Sequence, residues 1–330
     1  MFGFTLILNL IASLMHGYLT WRIASLNCFK PVHLRRRLWL LSLTLWLLYL
    51  VGIHAGDDVS GSLLSLLNQL ALNWLGALFL ATTIQLMLEL LSGFGFWAKP
   101  YLNQLRSSAL LLSLLLIVVA LVQGMRAPIV SRHEVTLTAL PVSLDGTRIV
   151  VLSDLHLGSQ LGAQWLNARV AQVEGLKPDL IVLLGDIFEG HGRIDSGLQA
   201  VFARLKAPMG VYAVTGNHEF HGDSTAAIAI SEKASVVWLR NCWQEVAPGL
   251  LLAGVDNLSR QQLNNNNGDR VLSLLDGNYK GAIVLLSHSP LQVKKAKNRG
   301  VGLMLSGHTH GGQIWPFGLL VKQYYPYFDG

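Results

Sequence analysis

Apolar residues run without a charge from Phe2 to about Thr20, and again over Leu38–Ile53, Leu63–Leu88 and Ser108–Gly124. Such runs approach or exceed the ~20 residues a helix needs to cross the hydrocarbon core of a bilayer. Residues 1–127 are therefore expected to form an α-helical transmembrane bundle of about four helices. The second run is short and the third long, so tilt or a misplaced boundary is expected. No basic segment precedes the first run, which favours a retained helix over a cleaved signal peptide.

From residue 128 to 330 the pattern changes to short β-rich runs separated by amphipathic stretches. Strands are predicted at Val135–Leu140, Arg148–Ser153, Leu180–Leu184, Val211–Thr215, Val236–Leu239, Leu250–Val255, Ile283–Ser287 and Leu303–Ser306. Helices are predicted at Gln164–Leu176, Ser196–Leu205 and Thr225–Ala234. That alternation predicts a layered α/β domain whose functional groups sit in the loops after strand ends.

Composition sharpens this division. Of 330 residues, 52% are apolar and 13% charged, and the net charge is +6. Eight Lys/Arg face three Asp/Glu through Pro128, whereas the remainder carries 17 against 16. The excess base belongs to loops between apolar runs, so no nucleic-acid partner is expected. Arg22, Lys30 and Arg35–Arg37 follow the first run, and Lys99 and Arg106 follow the third; the loop between holds Asp57 and Asp58. By the rule that basic loops stay cytoplasmic, the N-terminus and the second domain are expected outside. Arg126 and Arg132, just past the fourth run, pull against that assignment. Cys28 and Cys242 form no pair pattern and read as small apolar fillers. Asn68, Gln69, Asn73, Gln85 and Glu89 decorate the third run, where hydrogen bonding between helices is the commonest use of polar groups.

The predicted strand ends carry the chemistry. In order they read Asp154-Leu155-His156, Gly185-Asp186, Gly216-Asn217-His218-Glu219, Ser287-His288 and Gly307-His308-Thr309-His310. Each piece is unremarkable alone. Together they bring carboxylates, imidazoles and a carboxamide to one end of a sheet, a donor set that suits Mn, Fe or Zn and includes no thiolate. A two-metal hydrolytic site needs one carboxylate shared by ions about 3.5–4 Å apart, and Asp186, at the end of an apolar run, is placed to bridge them.

This series resembles the calcineurin-like metallophosphoesterases, whose pattern is DxH, GDxx, GNH(D/E), H and GHxH, over roughly Arg148 to Gly312. The resemblance implies a four-layer α/β/β/α sandwich. It implies one metal held by Asp154, His156 and His310 with Asp186 bridging, and a second held by Asp186, Asn217, His288 and His308. His218 is then the histidine near the phosphate, a general acid or a stabiliser of transition-state charge. The ending Gly307–Gln313 is similar to that of membrane-anchored members. The expected reaction is attack of a metal-bridging hydroxide on a phosphoester, with Mn favoured. The expected substrate is a lipid-linked or cell-envelope phosphodiester, and membrane lipids are expected contacts. A phosphomonoesterase or protein phosphatase on the same core, and a non-catalytic membrane sensor or scaffold, are the alternatives.

Such relatives usually continue with further strands after this segment, whereas the sequence stops at Gly330; a truncated chain or a differently closed sheet is expected. Glu189, His191 and His221 read as solvated loop residues, Lys294–Arg299 as a solvated helix face, and Trp315-Pro316-Phe317 as a packed apolar turn.

Overall fold

The computed structural model describes residues 2–54, 62–158, 160–189, 197–220, 225–257, 279–313 and 317–328. The chain divides into two compact units, Met1–Val130 and Ser131–Gly330.

The first unit is four long helices, α1 Phe2–Ala24, α2 Val32–His54, α3 Ser62–Leu91 and α4 Leu102–Gly124. Val32–His54, Leu63–Leu91 and Lys99–Gly124 are long and apolar enough to cross a membrane. Large apolar side chains such as Leu40, Leu43, Leu47, Leu111 and Leu114 are exposed, while Thr20, Ser42, Gln85 and Glu89 are buried. A helix bundle turned inside out in this way suits an apolar solvent. As the third run suggested, polar groups knit the helices: Asn68 donates to the Gly52 carbonyl at 3.1 Å and Gln85 to the Arg106 carbonyl at 3.3 Å.

The second unit is two four-stranded sheets. The first runs β1 Ile149–Leu152, β2 Leu180–Leu184, β3 Val211–Val214 and β4 Val236–Trp238, all parallel. In the second, β5 Cys242–Ala247 is antiparallel to β6 Leu250–Val255, which continues in parallel to β7 Ala282–Ser287 and β8 Leu303–Leu305. Because side chains alternate along a strand, each sheet presents two apolar faces. Leu180, Val182 and Leu184 meet Leu250, Leu252, Val284 and Leu286 between the sheets. On the outer face of the first sheet, Ile181 and Leu183 pack with Leu166 and Val170 of α5 Ala163–Leu176 and with Phe202 of α6 Leu198–Phe202. Ala227 of α7 Thr225–Lys233 joins that layer. On the outer face of the second sheet, Leu251, Ile283 and Leu285 pack with Ala296 of α8 Val293–Asn298. The layers are therefore α/β/β/α.

Several expectations are corrected. Val135–Leu140 is not a strand. Its alternation reports burial only, since Leu137 and Leu140 pack against the core between the sheets without a pairing partner. Strand β5 was not anticipated; it is an exposed edge strand carrying Gln244 and Glu245, with a register shift between Glu245 and Ala247, so no apolar run marks it. The helix expected over Ser196–Leu205 shortens to Leu198–Phe202. Cys28 and Cys242 are free and exposed, so neither fills a core. Phe317 opens a further helix, α9 Phe317–Tyr324, where an apolar turn was expected. His191, His221, Trp315 and Pro316 lie outside the described residues.

Candidate metal centre

All eight candidate side chains sit at or just past the C-terminal ends of β1, β2, β3, β7 and β8, and the connections are cross-bonded. The loop after β1 runs alongside that after β2: Asp154 N–H donates to the Gly185 carbonyl at 3.1 Å and His156 N–H to the Asp186 carbonyl at 2.9 Å. His308 N–H, from the second sheet, donates to Asp154 Oδ2 of the first at 3.0 Å. Five of the eight, Asp154, His156, Asp186, His308 and His310, have φ between 45° and 73°. Left-handed backbone costs of order 1–3 kcal/mol per non-glycine residue, and such residues cluster where function dictates their direction. Gly216 allows the approach, because a Cβ there would collide with Asp186 Oδ1 and the Asp186 amide.

Six of the candidates form two clusters, each with donor atoms within 4.8 Å of one another, Asp154/His156/His310 and Asp186/His288/His308, and a third such group, His156/Glu189/His218, shares His156 with the first. Asp186 reaches the first two: its Oδ2 is 3.2 Å from His288 Nε2 and 4.0 Å from His156 Nε2. His310 Nε2 lies 3.3 Å from Asp154 Oδ1, and its ring stacks on that of His156 at 5.6 Å. Asn217 adjoins on the turn after β3.

Hydrogen bonding fixes which imidazole nitrogens face inward. His288 is fully buried, and its Nδ1–H donates to the Leu184 carbonyl at 2.7 Å. In the neutral ring Nε2 then carries a lone pair, aimed at the carboxylate oxygen Asp186 Oδ2, 3.2 Å away. Facing acceptors at that distance repel unless a cation, either a proton on the ring or a metal ion, lies among them. Among the described residues Asn217 Oδ1 is a buried oxygen with no hydrogen-bond partner, and Asp154 Oδ1 makes no hydrogen bond, meeting only the His310 ring at 3.3 Å; buried oxygens avoid this unless something else coordinates them. The site's own chemistry thus fits divalent cations.

Without such ions the charges respond to one another. Burial raises the Asp186 pKa, but the His288 hydrogen bond and charge and the His218 amide outweigh it, leaving the carboxyl at about 2. For His156 and His288 burial lowers the pKa, yet carboxylates lift both above the usual value, Glu189 acting on His156 and Asp186 on His288. His308 is lowered by burial and by its neighbour His288.

Three supporting residues escaped the sequence reading. Glu189, expected in solvent, accepts from His156 Nδ1 at 2.9 Å, and its carbonyl accepts from His218 Nδ1 at 3.1 Å. Buried Glu219 receives four amides, those of Asp186 and Gly216 on Oε2 and of Ile187 and Phe188 on Oε1, at 2.6–3.0 Å. Burial raises its pKa despite those amides. Tyr325 places its hydroxyl 3.0 Å from His308 Nε2. Glu219 stood in the motif with no assigned role, and nothing in its vicinity flagged Tyr325.

A two-sheet α/β sandwich whose strand ends gather imidazole, carboxylate and carboxamide donors is the arrangement expected of a metal-dependent phosphoesterase. Comparison with known proteins agrees: the calcineurin-like phosphoesterase family profile matches residues 147–312, and the chain belongs to that family. A transmembrane protein with metallophosphoesterase domain from Danio rerio is 33% identical over 234 residues, 67% of this chain and 53% of the relative. The protein of the same description from Bos taurus is 32% identical over 236 residues, with the same coverage. A metallophosphoesterase of Helicobacter pylori is 29% identical over 209 residues, 63% of this chain and 55% of that protein. The chain spans about half the length of these relatives. The family is one of metal-dependent phosphoesterases, and three helices of this chain are long and apolar enough to cross a membrane.

Proposed function

We propose that the chain is a binuclear phosphodiesterase, with residues 128–330 as its catalytic domain and residues 1–127 as an anchor of four spans, α1 included. The observation that carries the reading is the convergence of acceptor atoms on Asp186 Oδ2. Asp154, His156 and His310 would hold one divalent ion, Asn217, His288 and His308 the other, and Asp186 both, with Mn the favoured metal. When bound, such ions lower the pKa of a water nucleophile and neutralise charge developing on the phosphoryl group. The remaining work belongs to the protein. Glu189 orients His156 through Nδ1 so that Nε2 faces Asp186, the usual role of a carboxylate behind a ligating histidine. Glu219 holds the loops bearing Asp186 and Asn217 in register through its four amides. With Nδ1 committed to the Glu189 carbonyl, His218 has Nε2 as the nitrogen that hands a proton to the leaving oxygen.

Membrane anchoring concentrates the site against lipid-borne substrates, which supports a lipid-linked or envelope phosphodiester as substrate. The basic loops support placing the catalytic domain on the extracytoplasmic side. The test compares the chain with its isolated second domain on a lipid-linked and a water-soluble diester. The anchored protein is expected to favour the lipid-linked diester by at least about tenfold more than the isolated domain does. Equal relative efficiency removes the lipid-linked assignment, and activity confined to monoesters moves the reading to a phosphomonoesterase.

A further inference from the structure

A second cluster of charge lies in the helical unit, remote in sequence from the metal motifs. Glu89 of α3 is almost fully buried at 1% exposure and is shared by two arginines. Arg106 of α4 grips it through Nε at 2.8 Å and Nη2 at 3.2 Å, and Arg22 of α1 reaches it through Nη2 at 3.2 Å. The carboxylate is satisfied, but two guanidiniums against one carboxylate leave a positive charge over. A buried charge without a partner is expensive in any protein and more so at membrane depth.

Two further atoms point to something that completes the set. Among the described residues, Arg22 Nε, on a residue 8% exposed, is a buried donor with no acceptor, and Gln85 Oε1, on a fully buried residue one turn before Glu89, is a buried acceptor with no donor. A single ligand that supplies both partners is an anion that also carries a hydroxyl or N–H. Position narrows it again. Trp21, Phe94, Phe96, Trp97 and Tyr101, neighbours in sequence of Arg22, Glu89 and Arg106, are exposed, and the Arg22 guanidinium stacks 4.0 Å over the Trp21 ring. Exposed Trp and Tyr at the end of apolar helices mark the headgroup level of a bilayer. We infer that Arg22, Arg106, Glu89 and Gln85 form a site for the headgroup of an anionic phospholipid, the phosphate against Arg22 and a headgroup hydroxyl against Gln85.

The test uses the full chain in mild detergent, stripped of lipid and titrated with phosphatidylglycerol or phosphatidylcholine, with bound lipids counted by native mass spectrometry. One phosphatidylglycerol is expected to be held about tenfold more tightly than phosphatidylcholine, a difference one good charged contact supplies. Millimolar inorganic phosphate should leave it in place. Arg22→Gln should abolish the preference, whereas Glu89→Gln, which increases the excess positive charge, should keep or strengthen it. If Arg22→Gln does not fold, Gln85→Leu, which leaves every charge in place, should weaken phosphatidylglycerol about threefold. Equal retention of both lipids by the wild type, an unchanged preference in Arg22→Gln or in Gln85→Leu, or loss of preference in Glu89→Gln as complete as in Arg22→Gln would overturn the inference. Full displacement by inorganic phosphate would do the same, assigning a free-phosphate site.

Discussion

The two candidate metal clusters are built from the same residue types yet differ in how firmly the protein holds them. In the inner cluster Asp186 and His288 have side chains 3% and 0% exposed, and His288, His308 and Asp186 are tied to Leu184, Tyr325 and the His218 amide. In the outer cluster His310 is 35% exposed on its side chain and faces Asp154 directly, while His156 leans on Glu189. Pre-oriented, desolvated donors hold a cation more tightly than donors that must be gathered from solvent. The inner position is accordingly the one expected to retain metal under chelation, and the outer one to exchange.

The comparison breaks most severely at His288. His288→Ala should empty the inner position and lower kcat by about 10³-fold or more, and His310→Ala should remove only the outer ion, leaving about one metal per chain by elemental analysis; these magnitudes follow from losing electrostatic stabilisation of the phosphoryl group. His218→Asn should cost about 10²–10³-fold in kcat while both metals stay bound, the signature of lost proton transfer.

Smaller effects sharpen the picture. Glu219→Gln replaces one acceptor oxygen with a donor facing amide donors, so the domain should lose about 3 kcal/mol by chemical denaturation. Glu189→Gln should weaken outer-metal affinity by about tenfold, and Tyr325→Phe should weaken the inner by a similar or smaller factor. Calorimetry with each metal separates the two.

Stability against pH tests the electrostatics of the metal-free protein. Asp186, lowered to about 2 from 3.8, contributes stability present above pH 3.8 and lost as pH falls toward 2. His156 and His288, raised above 6.5, contribute stability present below 6.5 and lost as pH rises through their folded values, and His308, lowered, partly offsets them. Metal-free protein should therefore show its highest Tm between these limits, and added Mn should raise Tm most above pH 6.5, where it replaces the missing protons.

Much of this architecture is legible in the sequence because buried parallel strands are continuous apolar runs and donors cluster where those runs stop. Leu180–Leu184 and Leu250–Val255 appear at their predicted bounds. What escaped is what no run announces. Strand β5 is polar and exposed, and Val135–Leu140 alternates without a partner. Glu189 and Tyr325 act through contacts made by loops whose paths the local sequence does not specify, 33 residues from His156 and 17 from His308. The charge set of Arg22, Glu89 and Arg106 joins three helices, and only Glu89 stood out as a polar interruption of an apolar run.

We propose that Asp186 makes one centre of the two clusters. The most direct test is the metal content and bis-p-nitrophenyl phosphate turnover of protein stripped and resupplied with Mn, wild type beside Asp186→Asn. Two Mn per chain and restored turnover are expected in the wild type, and at most one Mn and no measurable turnover in the variant. An Asp186→Asn protein that keeps two ions and its activity, or a stripped wild type that still turns over, would contradict the proposal.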